Sequence, residues 1–223
     1  MNYLALDCST LACTIALKSG TEVLTAHWEE PRGHNRFLLP GIASLLDQAG
    51  ITVSQLDGIV AGIGPGSFVG VRMAVSVAQG LAFGADLPLL GVSSLQVWAQ
   101  TLKVKCTSLS EVLLALDARL GQITLGHYQL KDGIMQPKIV DQVLALEALV
   151  IPERVEYVLG DAFNTLLPVP ARALYLQDCF PHAAAMFDLV NPLDFASAPS
   201  PDHVLPVYLQ GTSPWKKSQE HYE

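Results

Sequence analysis

The longest apolar stretch of the chain runs from Ile59 to Gly84 and predicts a buried strand, a turn and a long helix. Gly64-Pro65-Gly66 forms the turn, and Ser67 is placed to cap the helix. Arg72 is the only charged residue of that helix, so protein must cover it on nearly every side. A membrane span is not expected, because Arg72 interrupts a stretch shorter than the ~20 apolar residues required.

The pattern of strands and helices predicts two lobes built on one plan. The predicted strands are 2–7, 12–17, 22–28, 56–63, 87–92, 112–116, 122–130, 134–140 and 155–159. Besides the central helix, the predicted helices are 37–49, 93–102, 141–149 and 182–189. Three strands, a helix, a strand and a helix, repeated, predict an α/β fold of the two-lobe actin-like ATPase (ASKHA) type with duplicated βββαβα lobes. The expected domains are 1–103, 104–205 and a tail, 206–223, that holds Trp215-Lys216-Lys217.

The composition favours extensive burial and argues against direct binding of nucleic acid. Hydrophobic residues make up 50% of the 223 residues and charged residues only 15%, against a typical charged share of about 25%. Part of so apolar a surface could be an interface with another protein. The net charge is −8 and no basic face is evident, so another subunit would have to hold any RNA phosphates.

The cysteines and histidines give no sign of a metal centre. Four cysteines occur without a CxxC pair or a disulfide framework, which favours a reduced, cytoplasmic location, and no signal segment is expected. No two of the six histidines are spaced i, i+4 on a predicted helix. We therefore expect no metal site and no catalytic residues.

Two turns are candidates for a weak nucleotide site. In the predicted architecture the first hairpin turn of each lobe faces a phosphate, and here these turns contain Asp7, Ser9 and Thr10 in one lobe and Asp117 in the other. Hydroxyls and backbone amides could cradle phosphate, and the aspartates could hold hydrated magnesium. The alternative is that the hydroxyls only satisfy their own turn.

The central helix and the helix before it carry more apolar residues than one sheet face can cover. Together they predict an exposed patch for a partner or a second copy of the chain. The predicted interface residues are Leu38, Ile42, Leu45, Leu46, Val71, Arg72, Met73, Ala74, Ala78 and Leu81. Charges at Val71 or Ala78 would then separate the interface and leave the fold intact. The alternative is a central core helix.

Several stretches resemble one protein family. They are LALDCSTLACTIAL, HNRFLLPGIASLLDQAG, GIGPGSFVGVRMAVSVAQGLAFG, PLLGVSSL, LDARLGQIT and PVYLQ. The most specific is G-P-G-S-F-x-G-x-R followed by a helix of small residues. Together they resemble the TsaB (YeaZ) family, the bacterial dimerization subunit of the tRNA threonylcarbamoyladenosine machinery.

The resemblance implies a function and partners. The TsaB-like subunit would pair with the catalytic paralogue TsaD, which modifies the adenosine beside the anticodon in tRNAs that read codons beginning with A. It would meet the small ATPase TsaE and reach tRNA only through the complex, and it would form a homodimer when alone. No tightly bound cofactor is implied, and an ATP or ADP molecule would sit at the interface of the complex.

The same resemblance implies that this chain performs no transfer itself. An acidic pair of the TsaD family aligns with Leu11 and Ala12, and its paired metal-binding histidines align with Ser94 and Trp98. Only His182 keeps a ligand type. The alternative is an enzyme in its own right, either an ATPase or kinase that uses the cleft or a peptidase.

Overall fold

The central strand of the first sheet is almost wholly apolar because it is covered on both faces. The computed structural model describes residues 1–106 and 108–209. The first sheet has the order β3-β2-β1-β4-β5, with β1 antiparallel to β2 and parallel to β4. Its strands are β1 (Asn2–Asp7), β2 (Ala12–Ser19), β3 (Glu22–Glu29), β4 (Gly58–Gly62) and β5 (Leu89–Val92).

The second sheet repeats this arrangement around β6, which is antiparallel to β7 and parallel to β10. Its order is β11-β10-β6-β7-β8, and β9 pairs with β7 beside β8. Its strands are β6 (Glu111–Arg119), β7 (Gln122–Lys131), β8 (Ile134–Pro137), β9 (Gln142–Ala145), β10 (Tyr157–Leu159) and β11 (Leu174–Tyr175). The two mixed sheets confirm the predicted two-lobe α/β arrangement.

Three long helices connect these strands, and two short ones follow in the second half of the chain. They are α1 (His34–Ala49), α2 (Phe68–Ala85), α3 (Ser94–Lys105), α4 (Ala162–Thr165) and α5 (Met186–Leu189). Gly50 ends α1 in the left-handed conformation, at φ 65°. Ser67 caps α2 as predicted, since its side chain accepts a hydrogen bond from Gly70 N–H.

The second lobe has less helix than the repeated plan predicts. The predicted helix 141–149 is wrong: residues 142–145 form β9, and Leu146–Ala148 is a short 3-10 helix. Pairing with β7 satisfies the backbone there, while Leu144 and Leu146 pack into the core of the second lobe. The predicted helix 182–189 is a 3-10 turn, Ala183–Ala185, followed by α5.

Each sheet is partly covered by elements from the other half of the chain. Leu95 and Trp98 of α3 pack with Leu114 of the second sheet. Ala183 and Phe195, from the end of the chain, pack on the first sheet. The domain bounds 1–103 and 104–205 stay a prediction. Residues from each of these ranges pack on the sheet formed by the other range.

Helix α2 has one side in the core of the first lobe and the other outside it. Val71, Ala74 and Ala78 are buried. By length and composition α2 also passes a simple test for a membrane span, with a mean hydropathy of 1.4 over its 18 residues. A single helix of this kind is weak evidence, because core helices pass the same test.

Two alanine substitutions in α2 should have opposite effects on stability. A Cβ at Gly70 would lie 1.8 Å from the carbonyl oxygen of Cys8, whereas a Cβ at Gly80 would meet no atom of the described residues within 4 Å. We expect Gly70→Ala to lower the free energy of unfolding by about 1–3 kcal/mol. Gly80→Ala should raise it by about 0.5–1 kcal/mol through helix propensity. Urea unfolding followed by circular dichroism measures both, and equal effects would contradict the packing described here.

Candidate functional site

A cleft of about 590 Å³ lies between the lobes, and the first turn of each lobe lines it. Of the predicted nucleotide-site residues, Ser9 and Thr10 line it from the first lobe and Asp117 lines it from the second. The other lining residues are Leu11, Gly66, Ser67, Trp98, Leu116, Ala118, Thr124, Gly160, Asp161, Asn164, Tyr175, Gln177, Asp178 and Phe180. The volume suits a small molecule.

The fourth predicted site residue, Asp7, is not part of the cleft lining. Asp7 is fully buried, and its carboxylate accepts hydrogen bonds from Ser9 N–H (2.7 Å) and Ser94 Oγ (2.6 Å). Burial raises the pKa of Asp7, although the hydrogen bonds from Ser94 and Ser9 oppose the shift. The carboxylate holds the turn together instead of facing a ligand, so the expectation that Asp7 and Asp117 share a magnesium ion has no geometric support.

Glycines allow the backbone to pack closely behind both turns. Ser67 N–H donates to the carbonyl of Ser9 (2.6 Å), and a Cβ at Gly66 would lie 2.4 Å from that carbonyl oxygen. In the second lobe Gly160, at φ +99°, lies against Ala115, where a Cβ would lie 2.1 Å from the carbonyl oxygen. The Gly66 contact fixes the first turn, and the Gly160 contact holds the chain before Asp161 against β6.

The charged residues that line the cleft are acidic. Asp117, Asp161 and Asp178 line it, and its lining contains no lysine, arginine or histidine among the described residues. Asp117 accepts two hydrogen bonds from Arg119, one from the backbone N–H and one from the guanidinium. Arg119 is largely exposed and committed to that carboxylate. Such a lining repels phosphate unless a cation or a partner supplies positive charge.

A second group of chemically active side chains lies behind the first turn. Cys8, Cys13 and His34 are buried, with their ligand atoms all within 4.8 Å of one another. The hydrogen bond from the Cys8 thiol, together with nearby His34, lowers the pKa of Cys13 to about 6 despite its burial. The same hydrogen bond and burial raise the pKa of Cys8, and the interaction with Cys13 raises that of His34.

This thiol cluster does not provide a catalytic nucleophile. Cys13 is 1% exposed and Cys8 is fully buried, so no substrate carbonyl could reach either sulfur. A nucleophile and base must lie within reach of the reacting atom. The sequence reasoning missed the cluster because it considered CxxC pairs and helical histidine pairs. The signal that could have found it is two cysteines facing each other across the predicted first hairpin.

The predicted interface residues are mostly on the wrong side of their helices. Seven of the ten are buried within the lobe: Leu38, Ile42, Leu45, Leu46, Val71, Ala74 and Ala78. Arg72 is exposed, and Met73 and Leu81 are half-buried. The reason is that the most regular apolar stripe of each helix faces the sheet. Charges at Val71 or Ala78 would enter the core, so these two substitutions cannot test an interface.

The exposed apolar side of the two helices consists of other residues. Val69 and Phe83 of α2 are 65% and 59% exposed, and Leu39 of α1 is 55% exposed. At 100° per residue, positions 69, 72, 76, 80 and 83 fall on one face of α2. Between the two large side chains lie Ser76 and Gly80, both exposed. We call this surface, Val69, Arg72, Ser76, Gly80 and Phe83, the outer face of α2.

The positions that align with transferase metal ligands have structural roles here. Ser94 bridges Asp7 and the turn before α2, since its hydroxyl also accepts a hydrogen bond from Gly64 N–H at 3.0 Å. Trp98 Nε1 donates to the carbonyl of Cys179 at 2.7 Å. His182 stacks on His27, with the ring centres 4.3 Å apart. No metal site forms from these three positions.

The sequence of this chain is similar to that of a known family of tRNA-modification proteins. A family model for TsaD, the tRNA N6-adenosine threonylcarbamoyltransferase, matches residues 29–172. The tRNA threonylcarbamoyladenosine biosynthesis protein TsaB of Escherichia coli is 34% identical, over 97% of this chain and 98% of that protein. The TsaB protein of Haemophilus influenzae is 40% identical over 55% of this chain and 52% of its own length.

Solved structures give the same result. YeaZ from Pseudomonas aeruginosa superposes with a TM-score of 0.81 and 36% identity, covering 93% of this chain and 99% of that one. A second Pseudomonas aeruginosa structure, described as an uncharacterized protein with similarity to peptidase YEAZ, gives 0.82 and 35%, covering 94% and 99%.

The fold and cleft define a two-lobe α/β protein of the actin-like ATPase class with an acidic, cation-poor cleft. Within that class, the chain belongs to the TsaB (YeaZ) family.

The Ser94 hydroxyl should be needed for stability because it joins two segments of the first lobe. We expect Ser94→Ala to lower the free energy of unfolding by about 1–3 kcal/mol, since Gly64 N–H and a carboxylate oxygen of Asp7 would each lose a buried partner. Ser44→Ala is the matched control, because Ser44 is an exposed serine of α1. Chemical denaturation measures both. Equal stability of the two variants would contradict the bridging role.

Proposed function

We propose that this chain is the non-catalytic subunit that supports its TsaD paralogue in making threonylcarbamoyladenosine beside the anticodon of tRNAs reading codons that begin with A. The family assignment supports the pathway. The outer face of α2 is the observation that carries the specific role. TsaE joins the pair, and tRNA contacts this chain only through the complex. The modification takes place in the cytoplasm and does not involve a membrane.

The outer face of α2 has the properties of a surface that packs against another helix. Its apolar residues Val69 and Phe83 are exposed to solvent. Arg72 is the one charged residue of the helix, so this exposed side is mostly uncharged. Arg72 itself lies over the Phe68 ring, 3.7 Å from the centroid, and hydrogen-bonds Tyr208. Exposed small residues at 76 and 80 would let a partner backbone approach closely. TsaD and a second copy of this chain would compete for this surface, because a twofold dimer uses one patch on both chains.

The cleft supports a non-catalytic role. Asp117, Asp161 and Asp178 repel phosphate, and the nearest thiol–imidazole pair, Cys13 and His34, is closed to solvent. We therefore place any ATP or ADP at the interface of the complex, where the partner can supply cations. The net charge of −8 fits a subunit whose contact with RNA is indirect.

An added charge at the centre of the outer face should block pairing. We expect Ser76→Arg to weaken both the homodimer and the TsaD complex by about 30-fold or more, because an unpaired charge at an interface centre costs on the order of 2–5 kcal/mol. Light scattering and the modification level of tRNA measure the effect. Thr21→Arg is the matched control, since Thr21 is exposed at the β2–β3 turn.

If Ser76→Arg pairs and supports modification as well as Thr21→Arg does, the outer face is not the interface. A change in circular dichroism for Ser76→Arg alone would show misfolding, so the comparison uses variants whose spectra match that of the natural chain.

The acidic cleft should leave the chain inactive toward ATP on its own. With magnesium and ATP, the isolated chain should release phosphate no faster than a buffer blank, because the described residues place no cationic side chain in the cleft lining. A coupled assay measures the rate of phosphate release by the chain alone and by the chain mixed with TsaD and TsaE. Hydrolysis by the chain alone that Thr10→Ala abolishes would instead support the ATPase or kinase alternative.

A further inference from the structure

Three metal-binding side chains from separate segments converge behind the first turn. Cys8 follows β1, Cys13 lies in β2, and His34 is the first residue of α1. Their ligand atoms lie within 4.8 Å of one another, and all three residues are buried. Neither the family assignment nor the proposed function uses this cluster.

The two sulfurs already have the separation that a shared ion requires. Cys8 Sγ and Cys13 Sγ are 3.7 Å apart. Two thiolates that bind one zinc ion at about 2.3 Å with a tetrahedral angle lie about 3.8 Å apart. A disulfide needs about 2.05 Å, so the sulfurs would have to approach each other by about 1.6 Å. The observed separation is that of two hydrogen-bonded thiols; it also fits a shared ion and is too long for a disulfide.

The histidine is oriented as metal-binding histidines are. His34 Nε2 lies 3.0 Å from the carbonyl oxygen of Thr10, and because a carbonyl only accepts, Nε2 carries the proton. That bond leaves Nδ1 to bind an ion, and Nδ1 is buried with no hydrogen-bond partner among the described residues. A ligating histidine commonly donates its second N–H to a backbone carbonyl, which fixes the ring.

We propose that Cys8, Cys13 and His34 bind one thiophilic d10 metal ion, Zn²⁺ or Cu⁺. Two sulfurs and one imidazole nitrogen are a soft to borderline ligand set that suits these ions and not magnesium or calcium. Cu⁺ accepts three ligands, whereas Zn²⁺ would take a fourth from water or a backbone carbonyl. Movement on the order of 1 Å would bring the three ligand atoms to bonding distance.

Such an ion would have a structural effect. It would tie the start of α1 to the turn that carries Ser9 and Thr10, and so fix one wall of the cleft. Because the unfolded chain lacks the assembled site, binding would stabilise the folded chain.

The test uses the untagged, reduced, full-length chain. After removal of bound metal, the chain is titrated separately with Zn²⁺ and with Cu⁺ under anaerobic conditions. The metal content of each sample is then measured by inductively coupled plasma mass spectrometry. We expect one ion per chain, thiolate-to-metal absorption bands with Co²⁺ as a probe, and a rise in Tm of about 5 °C or more at a hundredfold excess over the Kd. Comparison of the two titrations identifies the ion.

Variants assign the site. Cys8→Ala, Cys13→Ala and His34→Gln should each lower affinity at least tenfold, whereas Cys106→Ser, a half-buried thiol outside the cluster, should bind as the natural chain does. The titrations of the natural chain do not depend on whether a cluster variant folds. Absence of binding by the natural chain, binding retained in all three variants, or a Cys8–Cys13 disulfide formed in air without metal binding would each overturn the proposal.

Discussion

The contact between the start of α2 and the first turn of the chain determines much of the structure. The Ser9 carbonyl accepts a hydrogen bond from Ser67 N–H. Position 70 must be glycine, because a side chain there would collide with the carbonyl oxygen of Cys8. This contact fixes the direction of α2 relative to the first sheet. One side of the helix then lies in the core, and the outer face is directed away from the lobe. The same contact holds the turn against the cleft.

The acidic cleft and the outer face of α2 are the two features on which the proposed supporting role depends. The second lobe has a similar close glycine contact, with Gly160 against Ala115 beside the cleft. The charged residues that line the cleft are acidic, however, and the Asp7 carboxylate is buried in its own turn. The acidic lining is unfavourable for binding phosphate, whereas the exposed apolar residues of α2 are available to a partner.

The sequence predicts the first lobe well because its local signals agree with its packing. The capping serine, the glycine turn and the apolar period of α1 and α2 indicate the correct elements. Local pattern fails where long-range pairing decides, as for residues 142–145, whose backbone joins β7. It also fails to say which apolar side of a helix faces the sheet, so Val71 and Ala78 were expected at the surface. Cys8 and Cys13 face each other across the first hairpin, but only the tertiary structure brings His34 to them.

The central claim is that this chain acts by pairing with a TsaD paralogue through the outer face of α2. The most direct test is to co-express the two chains, purify the product and determine its mass by light scattering. We expect the purified product to contain one copy of each chain, with no homodimer of this chain remaining. Two separate species, with normal tRNA modification by TsaD in the absence of this chain, would contradict it.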